Sequence, residues 1–547
     1  MLCQTNRLII RCGRHHGGWI NRFVHRSFIN NRTTRQFHYS SATSSFSSSS
    51  SSSRLIFNNR RQLNKDLGWV LLGGSGLLYL SYSWLYKSGP ISLDSIDGIK
   101  HYSTKVNNKS DSITLLTDEE INKKLRGLEQ SYIVNRNKGI QRYDISQLPS
   151  NNPIEDNHIE QVITIPTSNN SEDDLYFFGI FDGHSGPFTS TKLSKDMVRY
   201  VAKQLSPFYA TDKKPNSGSS EDIDIAISNA FVQLDQDIVQ QSFKQLFKEP
   251  TQENMINVLP AISGSCALLS LYNSKDNTLK VAVTGDSRTL IGGIDENNQW
   301  FVQALSIDQT GDNMDEVSRI QKEHPGEPNA VRRGRVLGCL QPSRAFGDYR
   351  YKLKDVDGQK LTDLPDYVKV YFRSEPRDLL TPPYVTAKPE ITTTDIKSNI
   401  KFMIMGSDGL FELLTNEEIV GLVAKWQEQY MLGKPKKQLS ETLPAVKDIT
   451  KDKSSQRPAF RYKKAENSNT TNYLLEDSNV ATHLIRNALS AGGQKQYVST
   501  LASIPSPMSR KYRDDLTVTV AFFGETEKND GSLEINNNAT TPPKPKL

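Results

Sequence analysis

The 547-residue sequence predicts an α+β fold in which strands and helices come in separate runs. Three observations carry this. Short apolar runs bounded by turn residues, at 176–181, 266–272, 279–283, 289–294 and 401–405, read as strands. Leu193, Met197, Val201 and Leu205 fall at steps of four and give a helix from Thr191 one apolar face. Leu516, Val518, Val520 and Phe522 alternate strictly with Thr517 and Thr519, which predicts a strand buried on one face only. Strands do not alternate singly with helices, so a doubly wound parallel sheet is not expected.

The first element is an address. Residues 1–65 carry ten Arg and Lys65 with no Asp or Glu, a charge of +11. Set against +6 for the whole chain, this leaves the body at −5 and offers no case for a nucleic-acid surface. A cationic, Ser-rich, acid-free stretch has the makeup of a mitochondrial transit peptide, and 47–53 is a polyserine linker. Residues 67–86 contain no charge and suffice for a transmembrane helix, with Trp69, Tyr79, Tyr82, Trp84 and Tyr86 towards its ends. Gly73, Gly74 and Gly76 fit a buried soluble helix as well. A stop-transfer helix would anchor the body at the inner membrane and leave it in the intermembrane space, whereas conservative sorting or cleavage beyond the span would place it elsewhere, the matrix side included.

A polar linker is expected over 88–145, then a patterned domain over 146–524. Low hydrophobic content, 36%, agrees with much of the chain lying outside a core. Within the domain, 211–222 is a polar loop. Ile223, Ile227, Phe231, Leu234 and Ile238 mark a second helix over 223–247. The strands at 279–283 and 289–294 form a meander about Gly285-Asp286-Ser287. Thr415-Asn-Glu-Glu418 is a capping box opening a helix through Trp426. Residues 431–475 read as a basic, solvated insertion. Cys266 and Cys339 lie in no metal-binding pattern and read as packing residues. A polar tail, 525–547, ends in Pro545-Lys546-Leu547, which is similar to a peroxisomal tripeptide read by an import receptor.

Asp182, Asp408 and Asp514 abut strand runs far apart in sequence. Taken singly, Asp-Gly pairs are turn residues and Asp514 pairs with Arg513. Taken jointly, with His184 and Glu155-Asp156, buried-strand carboxylates call for hard divalent cations. Two Mg²⁺ or Mn²⁺ ions ~3.5–4 Å apart would activate a bridging water for in-line attack on a phosphate ester.

Six blocks then resemble, in order, metal-dependent serine/threonine phosphatases of type 2C. They are Phe178-Gly-Ile-Phe-Asp182-Gly183-His184-Ser185-Gly186, Gly264-Ser-Cys-Ala267, Thr284-Gly-Asp-Ser-Arg288, Ser343-Arg-Ala-Phe-Gly-Asp348, Met405-Gly-Ser-Asp-Gly409 and Arg513-Asp-Asp515. The resemblance implies a central β-sandwich of two antiparallel sheets flanked by helices on both faces. It implies that Asp182 bridges two metals and that the Gly183 carbonyl ligates one. Asp408 and Asp514 would complete the ligand set, with Glu155 and Asp156 acting through water. Asp286 and Glu412 align with acids that can hold an additional metal. His184 matches the general acid that protonates the leaving seryl oxygen.

The chain departs from the family where a phosphate-binding Arg commonly stands, at Asn151, and Gln309 replaces a usual His. Residues 150–156, 321–325, 381–387 and 479–486 resemble the mitochondrial pyruvate dehydrogenase phosphatase branch. That branch implies phosphoserine on the pyruvate dehydrogenase E1 α subunit as substrate. The alternatives are another mitochondrial or peroxisomal phosphoprotein, a pseudophosphatase that binds without catalysis, and a tether between organelles. Retention of Asp182, Asp408 and Asp514 speaks against the pseudophosphatase.

Overall fold

The computed structural model describes residues 114–166, 172–209, 219–450 and 472–542. The expected transit segment 1–65, the apolar stretch 67–86 and the terminal tripeptide lie outside the described residues. Among the described residues no helix is long and apolar enough to cross a membrane.

Strands β1 (Gln130–Asn135), β2 (Ile140–Leu148), β3 (Asn157–Pro166) and β4 (Glu172–Phe181) open the fold. A short ribbon joins β5 (Gly183–His184), β6 (Gly264–Ser265) and β13 (Phe346–Gly347). The remaining long strands are β7 (Ala267–Asn273), β8 (Thr278–Thr284), β9 (Arg288–Ile294), β10 (Trp300–Ala304), β14 (Glu390–Asp395), β15 (Ile400–Gly406) and β17 (Leu516–Phe523). Two short edge strands are β16 (Val446–Asp448) and β18 (Ser532–Ile535), and β11 (Val331–Arg332) with β12 (Arg335–Val336) makes a separate hairpin. One sheet runs β16-β10-β9-β15-β17-β2-β1-β18 and the other β14-β8-β7-β4-β3. Every pairing in these two sheets is antiparallel except β10 with β16.

The sheets face each other across Tyr143, Ile145, Phe178, Ile180, Val281, Ile291, Met403 and Met405. Helices α1 (Asp118–Leu125), α2 (Phe188–Leu205), α3 (Ser220–Gln236), α4 (Ser242–Lys248), α5 (Gln252–Ile262), α6 (Met314–Glu323), α7 (Asn416–Tyr430), α8 (Val480–Leu489) and α9 (Lys495–Ser503) cover the outside. α2, α3, α4 and α5 pack on the face of β4 that carries Leu175, Phe177 and Phe181. α1, α7, α8 and α9 pack on the face of β17 that carries Leu516, Val518, Val520 and Phe522. This is the expected sandwich with helices on both faces. A strand covered on both sides must be apolar at every position, which is why 176–181 shows no alternation.

Four expectations change. The stretch expected to be linker holds α1, β1 and β2, and β2 lies inside the first sheet between β17 and β1. Its polar side chains are buried in pairs. Arg142 donates to both Asp144 oxygens at 2.8 Å, and Asp144 also accepts Ser131 Oγ at 2.6 Å and Val480 N at 2.8 Å. The polar tail contributes β18, paired to β1, and the basic insertion contributes β16. β17 is not half solvated, since Thr517 and Thr519 are buried beneath the second sheet's end. The capping box forms as read, with Thr415 Oγ1 accepting from Glu418 N and Glu418 Oε2 from Thr415 N. The second helix begins at Ser220 and passes through one π turn, 237–241, into α4.

Candidate metal centre

Asp182 follows the last residue of β4, Asp286 sits in the turn between β8 and β9, and Asp408 follows β15. Sheet register thus brings three acids from distant positions to one end of the sandwich, with carboxylate oxygens all within 4.8 Å of one another. Glycines make the approach possible. Gly285 has φ +113°, and a Cβ there would lie 2.3 Å from Cys266 Sγ, the thiol that donates to Asp286 Oδ1 at 3.1 Å. A Cβ at Gly183 would lie 2.3 Å from the Glu155 carbonyl, so only glycine lets the 155–156 turn reach the loop after β4. Gln309 braces the Asp286 turn, its side-chain oxygen accepting Gly285 N at 2.8 Å and its backbone N–H donating to Gly285 O at 2.9 Å.

Asp156 lies at the start of β3, 2% exposed, with Oδ2 accepting Thr517 Oγ1 at 2.7 Å. The threonine face of β17 therefore serves the site. Burial, then the charges of Asp156, Asp408 and Asp286, push the Asp182 carboxyl well above the usual carboxylate range. Burial, then Asp515, does the same to Asp156. Glu155 is pushed up to about 7 by burial, followed by the charge of Asp515. Four mutually repelling carboxylates held by rigid strands are costly alone. An all-oxygen set of this kind fits a hard divalent cation, which removes the repulsion.

Asp514 and Asp515 have different places. Asp515 is an anchor: it accepts Ser150 N at 2.5 Å, Asn151 N at 2.9 Å and Glu155 N at 2.8 Å. Asp514 stands next to Gly409 but forms an ion pair with Arg510 and lies outside the group of three. The Arg513 guanidinium donates to the Leu148 and Pro149 carbonyls and reaches Asp514 at its main-chain oxygen, at 3.2 Å. Glu412 closes the turn after Asp408, its N–H donating to Asp408 O at 2.9 Å, and is likewise outside the group. Asn151 turns its amide to Glu155 and Asp515, at 3.4 and 3.3 Å.

His184 Nε2 lies 2.6 Å from Asp348 Oδ2. Burial alone would lower the imidazole pKa, but Asp348 and Glu155 outweigh it and the net direction is up. Sequence reasoning gave Asp348 no role. Its signal was the Gly347-Asp348 pair, where both residues take positive φ to turn the carboxylate inward. A Cβ on Gly264 would collide with both members of this pair, at 2.1 and 2.2 Å. Lys352 and Asp235 hold the turn from behind, Lys352 Nζ donating to Asp235 and to Ala345 O, and Gly347 N to Asp235.

A family model described as protein phosphatase 2C matches residues 149–449. The chain is 57% identical over 519 residues to "[Pyruvate dehydrogenase [acetyl-transferring]]-phosphatase 1, mitochondrial" of Saccharomyces cerevisiae, covering 88% of this chain and 90% of that one. It is 41% identical to "Protein phosphatase 2C homolog C10F6.17c" of Schizosaccharomyces pombe, covering 74% and 85%. It is 29% identical to the Bos taurus pyruvate dehydrogenase phosphatase 1, covering 75% and 83%. Among solved structures, a serine-threonine phosphatase 2C from Toxoplasma gondii aligns over 72% of this chain and 99% of that chain, at 16% identity and a TM-score of 0.39. With identity sustained over most of its length and the family's blocks gathered at one end of a β-sandwich, the chain belongs to the protein phosphatase 2C family.

Proposed function

We propose that this protein serine/threonine phosphatase removes phosphate from phosphoserine on the pyruvate dehydrogenase E1 α subunit in mitochondria. The observation that carries the chemistry is the convergence of Asp182, Asp286 and Asp408 within 4.8 Å beside buried Asp156. Two Mg²⁺ or Mn²⁺ ions held there would supply Lewis acidity and a nucleophilic water at neutral pH. Asp182, the Gly183 carbonyl and Asp408 would hold these ions, with Asp182 shared between them. Asp514 would join that set on leaving Arg510. Glu155 and Asp156 would act through water, and Asp286 and Glu412 would be the acids for an additional ion. His184 hands a proton to the departing seryl oxygen, and Asp348 holds the ring for that transfer.

The names of the S. cerevisiae and B. taurus relatives support the substrate and the mitochondrial location. Within that location, the charge-free stretch 67–86 supports an inner-membrane anchor, and Pro545-Lys546-Leu547 supports a second, peroxisomal pool met by the import receptor. Chelation should silence hydrolysis of a phosphoserine peptide, and Mn²⁺ should restore it to the wild type but not to Asp182→Asn. Restoration of that variant to wild-type rate would discard the site.

A further inference from the structure

Asn151 stands where the resemblance places the family's phosphate-binding arginine, and its amide is turned towards carboxylates, so no side-chain cation meets an incoming phosphoryl group from this position. Among the described residues, Arg510 and Arg373 each touch a residue at or beside the site. Arg510 pairs with Asp514 and is released when that carboxylate turns to a cation, so it is the rival candidate. Arg373 is not committed: no described carboxylate makes an ion pair with it, and its Nη1 donates to Ser185 Oγ at 3.4 Å, next in sequence to His184.

Its backbone is fixed in advance. Tyr349 OH donates to Arg373 O at 3.2 Å, and Arg350 Nε donates to Ser374 O at 2.9 Å. The neighbouring Phe372 ring packs 5.6 Å from Phe243 and 5.7 Å from Tyr349. The guanidinium stays exposed above this anchored backbone. An exposed guanidinium on an ordered backbone loses little further freedom on binding and presents a fork matched to phosphate oxygens. The Ser185 contact is long for a hydrogen bond and is readily exchanged for a charged acceptor.

We propose that Arg373 recognises the phosphoryl group of the substrate, in place of the arginine missing at position 151. This rests on the phosphatase reading above. The test is binding of inorganic phosphate to the Mn²⁺-loaded full chain by titration calorimetry, together with its inhibition of p-nitrophenyl phosphate hydrolysis. Arg373→Ala should weaken phosphate about 10- to 100-fold, the value of a charged hydrogen bond. Arg373→Lys should recover part of this, and Arg510→Ala should change phosphate affinity less than Arg373→Ala does. Phosphate affinity of Arg373→Ala within about twofold of wild type overturns the proposal. It does so even if phosphopeptides bind worse, because Arg373 would then read flanking residues. Failure of the wild type to hydrolyse p-nitrophenyl phosphate with Mn²⁺ would instead sink the phosphatase reading.

Discussion

His184 and Asp348 divide one task between two residues 164 apart in sequence. The carboxylate holds the imidazole ring and favours its protonated form, so loss of the carboxylate should matter most when the leaving group needs a proton. Asp348→Asn should slow a phosphoserine peptide about 10²-fold and p-nitrophenyl phosphate much less, since nitrophenolate departs unaided. Equal losses on both substrates would make Asp348 merely structural. His483 shows the opposite device. It is wholly buried, its pKa lowered to about 4 chiefly by burial. Nε2 faces the Leu422 carbonyl and Nδ1 the Asn487 amide, an arrangement satisfied by the neutral ring. The folded pKa is below the unfolded one, so stability is full above about pH 6.5 and falls as pH drops towards 4. Urea unfolding should show about 2 kcal/mol lost between pH 7 and 5 that a His483→Gln variant does not lose.

At the scale of elements, strong periodicity was legible and paired polarity was not. The helix from Phe188, the helix capped by Thr415 and the strand ending at Phe181 follow from one-dimensional pattern. β1 and β2 were missed because Arg142, Asp144 and Gln147 read as solvated, whereas in the fold each meets a partner contributed from far along the chain. Pairing of that kind has no local signature. The alternation of β17 was visible, but its threonine face proved to be turned towards the site, not to water. Arg142→Met, which strands Asp144 beneath α8, should cost about 3–5 kcal/mol in denaturant unfolding. A cost near zero would mean that Ser131 and Val480 suffice for the carboxylate.

For the whole molecule, the sandwich works as a rigid frame whose strand ends meet at one place. Strands from both sheets deliver acids there, and the like charges are tolerated because the buried residues of the inter-sheet core, from Tyr143 to Ala521, hold the strands against splaying apart. The acids themselves were legible as Asp-Gly turns beside apolar runs. What was not legible is the supporting shell of Asp348, Gln309, Asp515 and Cys266, each defined only by a contact across the fold. The most direct measurement is anomalous diffraction from crystals grown in Mn²⁺. Two peaks are expected on either side of Asp182, in reach of Asp408 and with Asp514 turned away from Arg510. Peaks elsewhere, or none between these carboxylates, would contradict the account.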